Sequence, residues 1–340
     1  MKKGFYEAMT AGLPLEKLKK VNILITGANG LIASTLAEML YMISDRENLA
    51  IELFLLCRSE DRGKARFRDI LGKNVHLVVQ DVAEPLATDI NFDFIIHAAS
   101  SAHPGAFNTV PVDVMKANLF GTYNLLEYTR KHEGCRFMFV SSSEIYGENF
   151  DGIDLFYEDT LGKIDPAKFR ACYPESKRAS ETMCACYTKQ YSTDTVIVRP
   201  AYIFGKAVID SNKRADVYFL QQALNKEDIV MYSKGEQIRS YCYVDDCVSG
   251  LLYVLLKGES GEVYNIGNPN GTISMHDYAQ KIADIGGVKL IYNPETKPAG
   301  TTFLQTKQLI LATDKLEGLG WKVQYSIDEG LKDIFENGSC

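Results

Sequence analysis

The sequence is poor in the patterns that hold metals and disulfides. Its five histidines are scattered without ligand spacing, and none of its eight cysteines (Cys57, Cys135, Cys172, Cys184, Cys186, Cys242, Cys247, Cys340) forms a CxxC pair. That spacing gives neither a metal site nor a disulfide framework. An apolar run long enough to cross a bilayer is missing, and so is the order of segments that makes a signal peptide. Positive charge is in deficit: 37 Lys and Arg against 44 Asp and Glu leave a net charge of -7. Such a chain is not drawn to nucleic acid or to an anionic membrane, and any phosphate it holds must be met by local loops. Repeats and low-complexity segments are absent as well. Together these absences describe a reduced, cytoplasmic protein whose partner is a small molecule.

What is present is an ordinary globular composition, 46% apolar and 24% charged, over 340 residues. That length accommodates a large α/β domain with a smaller lobe. Residues 1–20 form a lysine-rich extension with leucines at helical spacing, suited to docking on the body or on a second subunit. From "VNILIT" onward short β-branched runs alternate with helical patterns: "IELFLLC", "VHLVVQD", "FDFIIHAAS", "RFMFVSSS" and "DTVIVRPAYIFG" are the further strands. Strands apolar throughout suit a parallel sheet buried on both faces, with the helices as right-handed crossovers. The expected fold is α/β: a Rossmann-like doubly wound parallel sheet with a smaller C-terminal substrate-binding lobe. Residues 21–204 plus 241–268 make up the dinucleotide-binding domain, and 205–240 plus 269–340 the lobe. "YCYVDDCVSGLLYVLLK" reads as a helix on the sheet.

"LITGANGLIAS" sets Gly27, Gly30 and Ala33 between the first strand and a helix. Glycines there permit a tight turn and a close backbone approach to a pyrophosphate seated on the helix N-terminus. Gly27, Asn29, Gly30, Leu31 and Ile32 are the candidate contacts. The second strand ends in Cys57 and Arg58, not in the acid that would hold bare ribose hydroxyls, so both NAD and NADP are candidates. Asp81, with Val82 after it, ends the third strand and is placed to meet the adenine or to cap a helix.

Ser142 closes the fifth strand, and Tyr173 and Lys177 follow on a helix, four apart and therefore on one face. The spacing predicts an ammonium that lowers the phenol's pKa, so that Tyr173 can take a proton from a sugar hydroxyl while Ser142 fixes the oxygen.

The chain resembles the extended short-chain dehydrogenase/reductase family, the nucleotide-sugar epimerases, dehydratases and decarboxylases. The likeness covers nearly all of it, through "TGANGLIA", "HAAS", "NLFGT", "SSSEIYG", "YPESK", "RPAYIFG", "RSYCYVDD" and "LGWKVQYSIDEGLKD". The resemblance implies that Ala98, Ala99 and Ser100 line the cofactor, that Asn118 supports the proton relay, and that Lys177 also holds the nicotinamide ribose. It implies Ser143, Tyr202 and Arg239 for the substrate, with the guanidinium meeting a diphosphate or a sugar carboxylate. Glu144 is a further acid or base beside Tyr173, and "SSSE" and "SKRASETMC" are similar to the UDP-glucuronate decarboxylase branch. A 4,6-dehydratase, a 4-epimerase and a non-catalytic dinucleotide-binding protein are the alternatives. The chain departs from the family pattern at Tyr202 (Asn expected), Lys206 (Pro) and Ala207 (Arg), and Lys206, Lys213 and Arg214 either restore positive charge or belong to a solvated loop. The family also implies a homodimer through the helix holding Tyr173–Tyr191, whose "MCACY" face suits a helix–helix contact or core packing.

Overall fold

In the computed structural model, which describes residues 4–147, 152, 155–206, 214–294 and 308–337, the β-branched runs pair side by side. The strands are β1 (Asn22–Thr26), β2 (Glu52–Cys57), β3 (Val75–Val79), β4 (Phe94–His97), β5 (Arg136–Val140), β6 (Asp194–Pro200), β7 (Tyr202–Phe204), β8 (Ile229–Met231), β9 (Ile238–Tyr243), β10 (Val263–Ile266), β11 (Thr272–Ser274), β12 (Leu290–Tyr292) and β13 (Gln308–Leu309). The helices are α1 (Phe5–Thr10), α2 (Leu31–Arg46), α3 (Glu60–Phe67), α4 (Pro104–Thr109), α5 (Pro111–Thr129), α6 (Cys172–Tyr191), α7 (Ala215–Leu224), α8 (Val244–Lys257), α9 (Met275–Gly286), α10 (Asp314–Glu317) and α11 (Ile327–Asn337).

Seven strands make one parallel sheet in the order β3-β2-β1-β4-β5-β6-β10. The expected doubly wound sheet is what forms. Side chains alternate across it: Ile23 and Ile25 join the core under α2 and α8, while Leu24 joins Leu125, Phe137 and Cys184 under α5 and α6. Both faces are covered, which is why these strands are apolar throughout.

Three details differ from the sequence reading. "DTVIVRPAYIFG" divides after Pro200, and β7 leaves the main sheet to pair with β9 in a small sheet completed by β11 and β13; β12 pairs with β8. "YCY" is the end of β9, and helix α8 opens only at Val244. The edge strand β10, four residues between turns, is too short for its periodicity to separate it from a loop. The N-terminal extension docks on the body. Tyr6 donates to Glu47 (2.6 Å), Tyr253 donates to the Ala11 carbonyl (2.7 Å), and the Lys17 ammonium reaches the Leu256 carbonyl (2.9 Å).

The carboxyl ends of the parallel strands share one edge. Chain order reverses between β1 and β4, and this switch point is where doubly wound sheets bind ligands.

Candidate active site

Gly27 leaves β1 with φ +67°, and a Cβ there would lie 2.5 Å from Ala99 Cα. Only glycine permits that contact between the β1 and β4 loops. Gly30 N–H closes the turn on the Gly27 carbonyl (2.9 Å), and Leu31 and Ile32 open α2. The β4 loop is tied down from beneath: the Ala99 N–H donates to Thr26 Oγ1 (3.2 Å), and the same hydroxyl shares a hydrogen bond with His97 Nδ1 (2.8 Å). Burial, with the nearby charge of Lys177, depresses the His97 pKa to about 3, so the ring is neutral. Sequence reasoning missed His97, although it opens the quoted "HAAS". Asn29 Oδ1 and Ser100 Oγ are buried here, with no hydrogen-bond partner among the described residues. A backbone cradle floored by glycine and rimmed by unspent polar atoms fits a dinucleotide pyrophosphate.

Around this cradle Ala98 is half-buried, Val82 is buried and Arg58 is exposed at the end of β2. Asp81 caps no helix. Its carboxylate accepts from the Ala83 N–H (3.0 Å) in a local turn and stays exposed.

The serine, tyrosine and lysine converge. Ser142 precedes a short 3-10 turn (Ser143–Tyr146), its hydroxyl accepting from the Glu144 N–H (3.2 Å), and its side chain acts to lower the pKa of the Tyr173 phenol. Tyr173 is buried and stacked on Phe107, with ring centres 5.0 Å apart. Lys177 is buried as well, donating to the Val140 carbonyl (2.7 Å) with its ammonium 5.9 Å from the Tyr173 ring centre. The expected lowering of the phenol pKa by Lys177 is not found. Burial and the Glu144 charge raise it, against smaller opposing effects from Ser142, Arg214 and Arg170. Burial also depresses Lys177 to about 7, opposed by Glu181 and Cys184.

Asn118 is placed by residues the sequence reading did not single out. Its amide donates to Ser176 Oγ (2.8 Å), Ser176 donates to the Tyr173 carbonyl (3.0 Å), and Ser180 Oγ donates to the Asn118 carbonyl (2.9 Å). Both serines fall on the α6 face of Tyr173, at three and seven residues from it, which is the periodic signal that marks them.

Glu144 is paired with Arg170 at 2.9 Å, and the Arg170 guanidinium lies 4.5 Å from the centre of the Phe107 ring that supports Tyr173. Arg170 too was missed; its only mark is its place three residues before Tyr173. Ser143, next to Glu144 in the chain, is buried. Two guanidinium groups lie near the Tyr202 ring, Arg239 at 5.3 Å and Arg214 at 5.5 Å from its centre. Arg214 is not in a solvated loop, for Asp216 holds it through two bonds of 3.0 and 2.6 Å. Lys206 is paired with Asp333 (2.7 Å), while Ala207 and Lys213 lie outside the described residues. Glu181 of "SKRASETMC" has a structural role, gripping Arg199 of β6 at 3.0 and 2.7 Å, and Arg199 reaches Tyr146 and the Glu158 carbonyl. Within "MCACY" Cys184 and Tyr187 enter the core and Cys186 is exposed.

A glycine turn after β1, and a serine, a tyrosine and a lysine brought together by β5 and α6, are features with which a doubly wound sheet can hold a dinucleotide and move a hydride. The sequence profile of the NAD-dependent epimerase/dehydratase family matches residues 23–267, and the chain belongs to that family. It is an NAD(P)-dependent enzyme of the epimerase/dehydratase class. UDP-glucuronic acid decarboxylase 1 of Xenopus tropicalis is 32% identical over 322 residues, 93% of this chain and 72% of that protein. UDP-glucuronic acid decarboxylase 5 of Arabidopsis thaliana is 31% identical over 315 residues, 92% of this chain and 87% of that one. Among solved structures, the dTDP-glucose 4,6-dehydratase of Bacillus anthracis in complex with NAD superposes with a TM-score of 0.76 at 21% identity, covering 93% of this chain and 96% of that one. At that identity the superposition bears on the fold. Among the described residues no helix is long and apolar enough to cross a membrane, and no group of three His, Cys, Asp or Glu is placed to hold a metal.

Proposed function

We propose that the protein is a nucleotide-sugar-modifying enzyme that decarboxylates UDP-glucuronate. The observation that carries the reading is the Glu144–Arg170 pair set against Ser142 and Tyr173, in a chain whose relatives named above are UDP-glucuronic acid decarboxylases. Moving a hydride to and from one carbon needs a base and an oxygen anchor. A second charged pair beside them serves a second chemical step.

In the proposed reaction Ser142 Oγ holds the sugar 4-oxygen and Tyr173 Oη takes its proton. The Lys177 amine, at about 7, is balanced between its two forms and so able to carry the positive charge that a Tyr173 phenolate requires. NAD or NADP, when bound, would supply the hydride acceptor and donor for C4. The 4-keto uronate is a β-keto acid: the C5–C6 electron pair moves into the ketone as an enolate and carbon dioxide leaves. Glu144, half-buried and oriented by Arg170, relays a proton from solvent to C5. Tyr173 then reprotonates the 4-oxygen as the hydride returns, and the net exchange is one carboxylate for one proton. Arg239 and Tyr202 would receive the diphosphate and Ser143 the sugar; Gly27, Asn29, Gly30, Leu31, Ile32, Ala98, Ala99, Ser100 and Asn118 would line the dinucleotide, and Lys177 would hold its nicotinamide ribose.

In the same proposal residues 21–204 with 241–268 hold the dinucleotide and 205–240 with 269–340 receive the sugar. A homodimer through α5 and α6 is supported by the exposed apolar side chains of Val112, Phe120, Tyr123 and Tyr191 on these two helices. A reduced cytoplasmic setting is supported by the seven described cysteines, all free thiols.

Mass spectrometry of the products formed from a panel of nucleotide sugars, with NAD and with NADP, tests the reaction. Loss of carbon dioxide from UDP-glucuronate is the expected result. Loss of water from a nucleotide hexose would replace it with a 4,6-dehydratase, an isomer of unchanged mass with a 4-epimerase, and no conversion at all with a dinucleotide-binding protein.

A further inference from the structure

The phosphate cradle is joined to the end of β2, because the Ala28 N–H donates to the Leu56 carbonyl (3.1 Å). At that end a Rossmann fold meets the adenosine ribose, with a carboxylate when the 2′-hydroxyl is bare and with a guanidinium when it is phosphorylated. The carboxylate position is Cys57, whose buried thiol donates to the Ser59 carbonyl (3.4 Å). Its neighbour Arg58 and, at the start of α3, Arg62 are both exposed. Among the described residues neither guanidinium has a hydrogen-bond or ion-pair partner. Between them Ser59 caps α3, its hydroxyl oxygen accepting from the Arg62 N–H (3.4 Å), which leaves its proton free to donate.

The other cations of α3 are already engaged, Lys64 by Glu60 (2.7 Å) and Arg66 by Glu38 and Ser34. Because Ser34 and Glu38 are on the first two turns of α2, the Arg66 bonds clamp α3 against the helix that opens the cradle. Arg62 thus stands on a helix fixed beside α2, and Arg58 follows two residues after the β2 carbonyl to which the cradle is bonded. Glu60 is neutralised by Lys64, so Asp61 is the acid of that turn set against two arginines.

We infer that this chain selects the 2′-phosphorylated dinucleotide, NADP, with Arg58 and Arg62 pairing with the 2′-phosphate and Ser59 donating to it. A guanidinium–phosphate pair is charge-assisted and bidentate, while a bare ribose offers these groups no anion. The inference rests on the dinucleotide cradle and not on the sugar proposed above.

Isothermal titration of the nucleotide-free protein with NADP+, NAD+, 2′,5′-ADP and 5′-ADP tests it without turnover. NADP+ is expected to bind at least about tenfold more tightly than NAD+, and 2′,5′-ADP more tightly than 5′-ADP. Arg58→Ala and Arg62→Ala, both at exposed positions, should each weaken NADP+ about tenfold or more and leave NAD+ unchanged. The double variant Cys57→Asp with Arg58→Ala should reverse the preference. Equal or tighter binding of NAD+, or arginine variants that weaken both dinucleotides alike, would overturn the inference. Binding of neither would overturn the cradle assignment with it. Where the purified protein retains a nucleotide, chromatography of the released compound gives the same decision: NADP supports the inference and NAD refutes it.

Discussion

Lys177→Met should stabilise the dinucleotide-free protein at neutral pH while removing its activity. The ammonium is buried, and burial depresses its pKa from 10.5 to about 7. At pH 7 the unfolded chain holds this proton almost fully and the folded chain holds it about half the time. The difference opposes folding by roughly 4 kcal/mol, from about 1.4 kcal/mol per pKa unit. Methionine matches the stem and carries no charge, but it abandons the bond to the Val140 carbonyl, a loss of about 1–3 kcal/mol. A net gain of roughly 1–3 kcal/mol is expected at pH 7. The sign is set by proton uptake. Between pH 7 and 10.5 the unfolded chain binds more protons at this site, so the wild-type penalty is full below the folded pKa and fades as pH rises to the unfolded one. Urea unfolding of both proteins across that range should show the variant's advantage shrinking by up to about 1.4 kcal/mol per pH unit. A difference independent of pH, or a variant less stable at pH 6 to 7, would refute a buried, depressed lysine. The expected result, in contrast, would show that the site holds a lysine for function at a cost in stability, as catalytic sites commonly do.

Tyr173→Phe keeps the stack on Phe107 and should leave the fold and dinucleotide affinity unchanged while product formation falls by about 10²–10⁴-fold; undiminished product would sink the assigned base. Glu181→Ala strands the Arg199 guanidinium in the core and should cost about 3–5 kcal/mol in chemical denaturation, since breaking a buried pair leaves an uncompensated charge. A loss below about 1 kcal/mol would mean that the pair is solvated in practice. Gly27→Ala puts a methyl against Ala99 Cα at positive φ and should lower stability by about 1–3 kcal/mol and dinucleotide affinity with it; an unchanged titration would place the dinucleotide elsewhere.

Much of this was legible in the linear chain because the signals are local. Strands buried on both faces must be apolar at every position, so "VNILIT" and "IELFLLC" declare a parallel sheet. The tight turn of "TGANG" needs its glycines within a few residues, and Tyr173 and Lys177 share a face because a helix turns every 3.6 residues. Contacts between distant segments leave no such trace. The periodicity of α6 said that Tyr173 and Lys177 share a face, but not that the Lys177 ammonium turns to the Val140 carbonyl on β5. Nor could it say that burial depresses the lysine and raises the phenol, since desolvation depends on every element packed around a group. Arg170 and Glu144 are 26 residues apart and meet only because β5 and α6 deliver both to Tyr173. Glu181 likewise lay within a stretch resembling a family signature, and the fold gave it Arg199 for a partner. Local periodicity and turn chemistry determined the scaffold and marked the candidate catalytic side chains. Long-range packing decided their charge, their partners and which stretches of the resemblance belong to chemistry and which to the core.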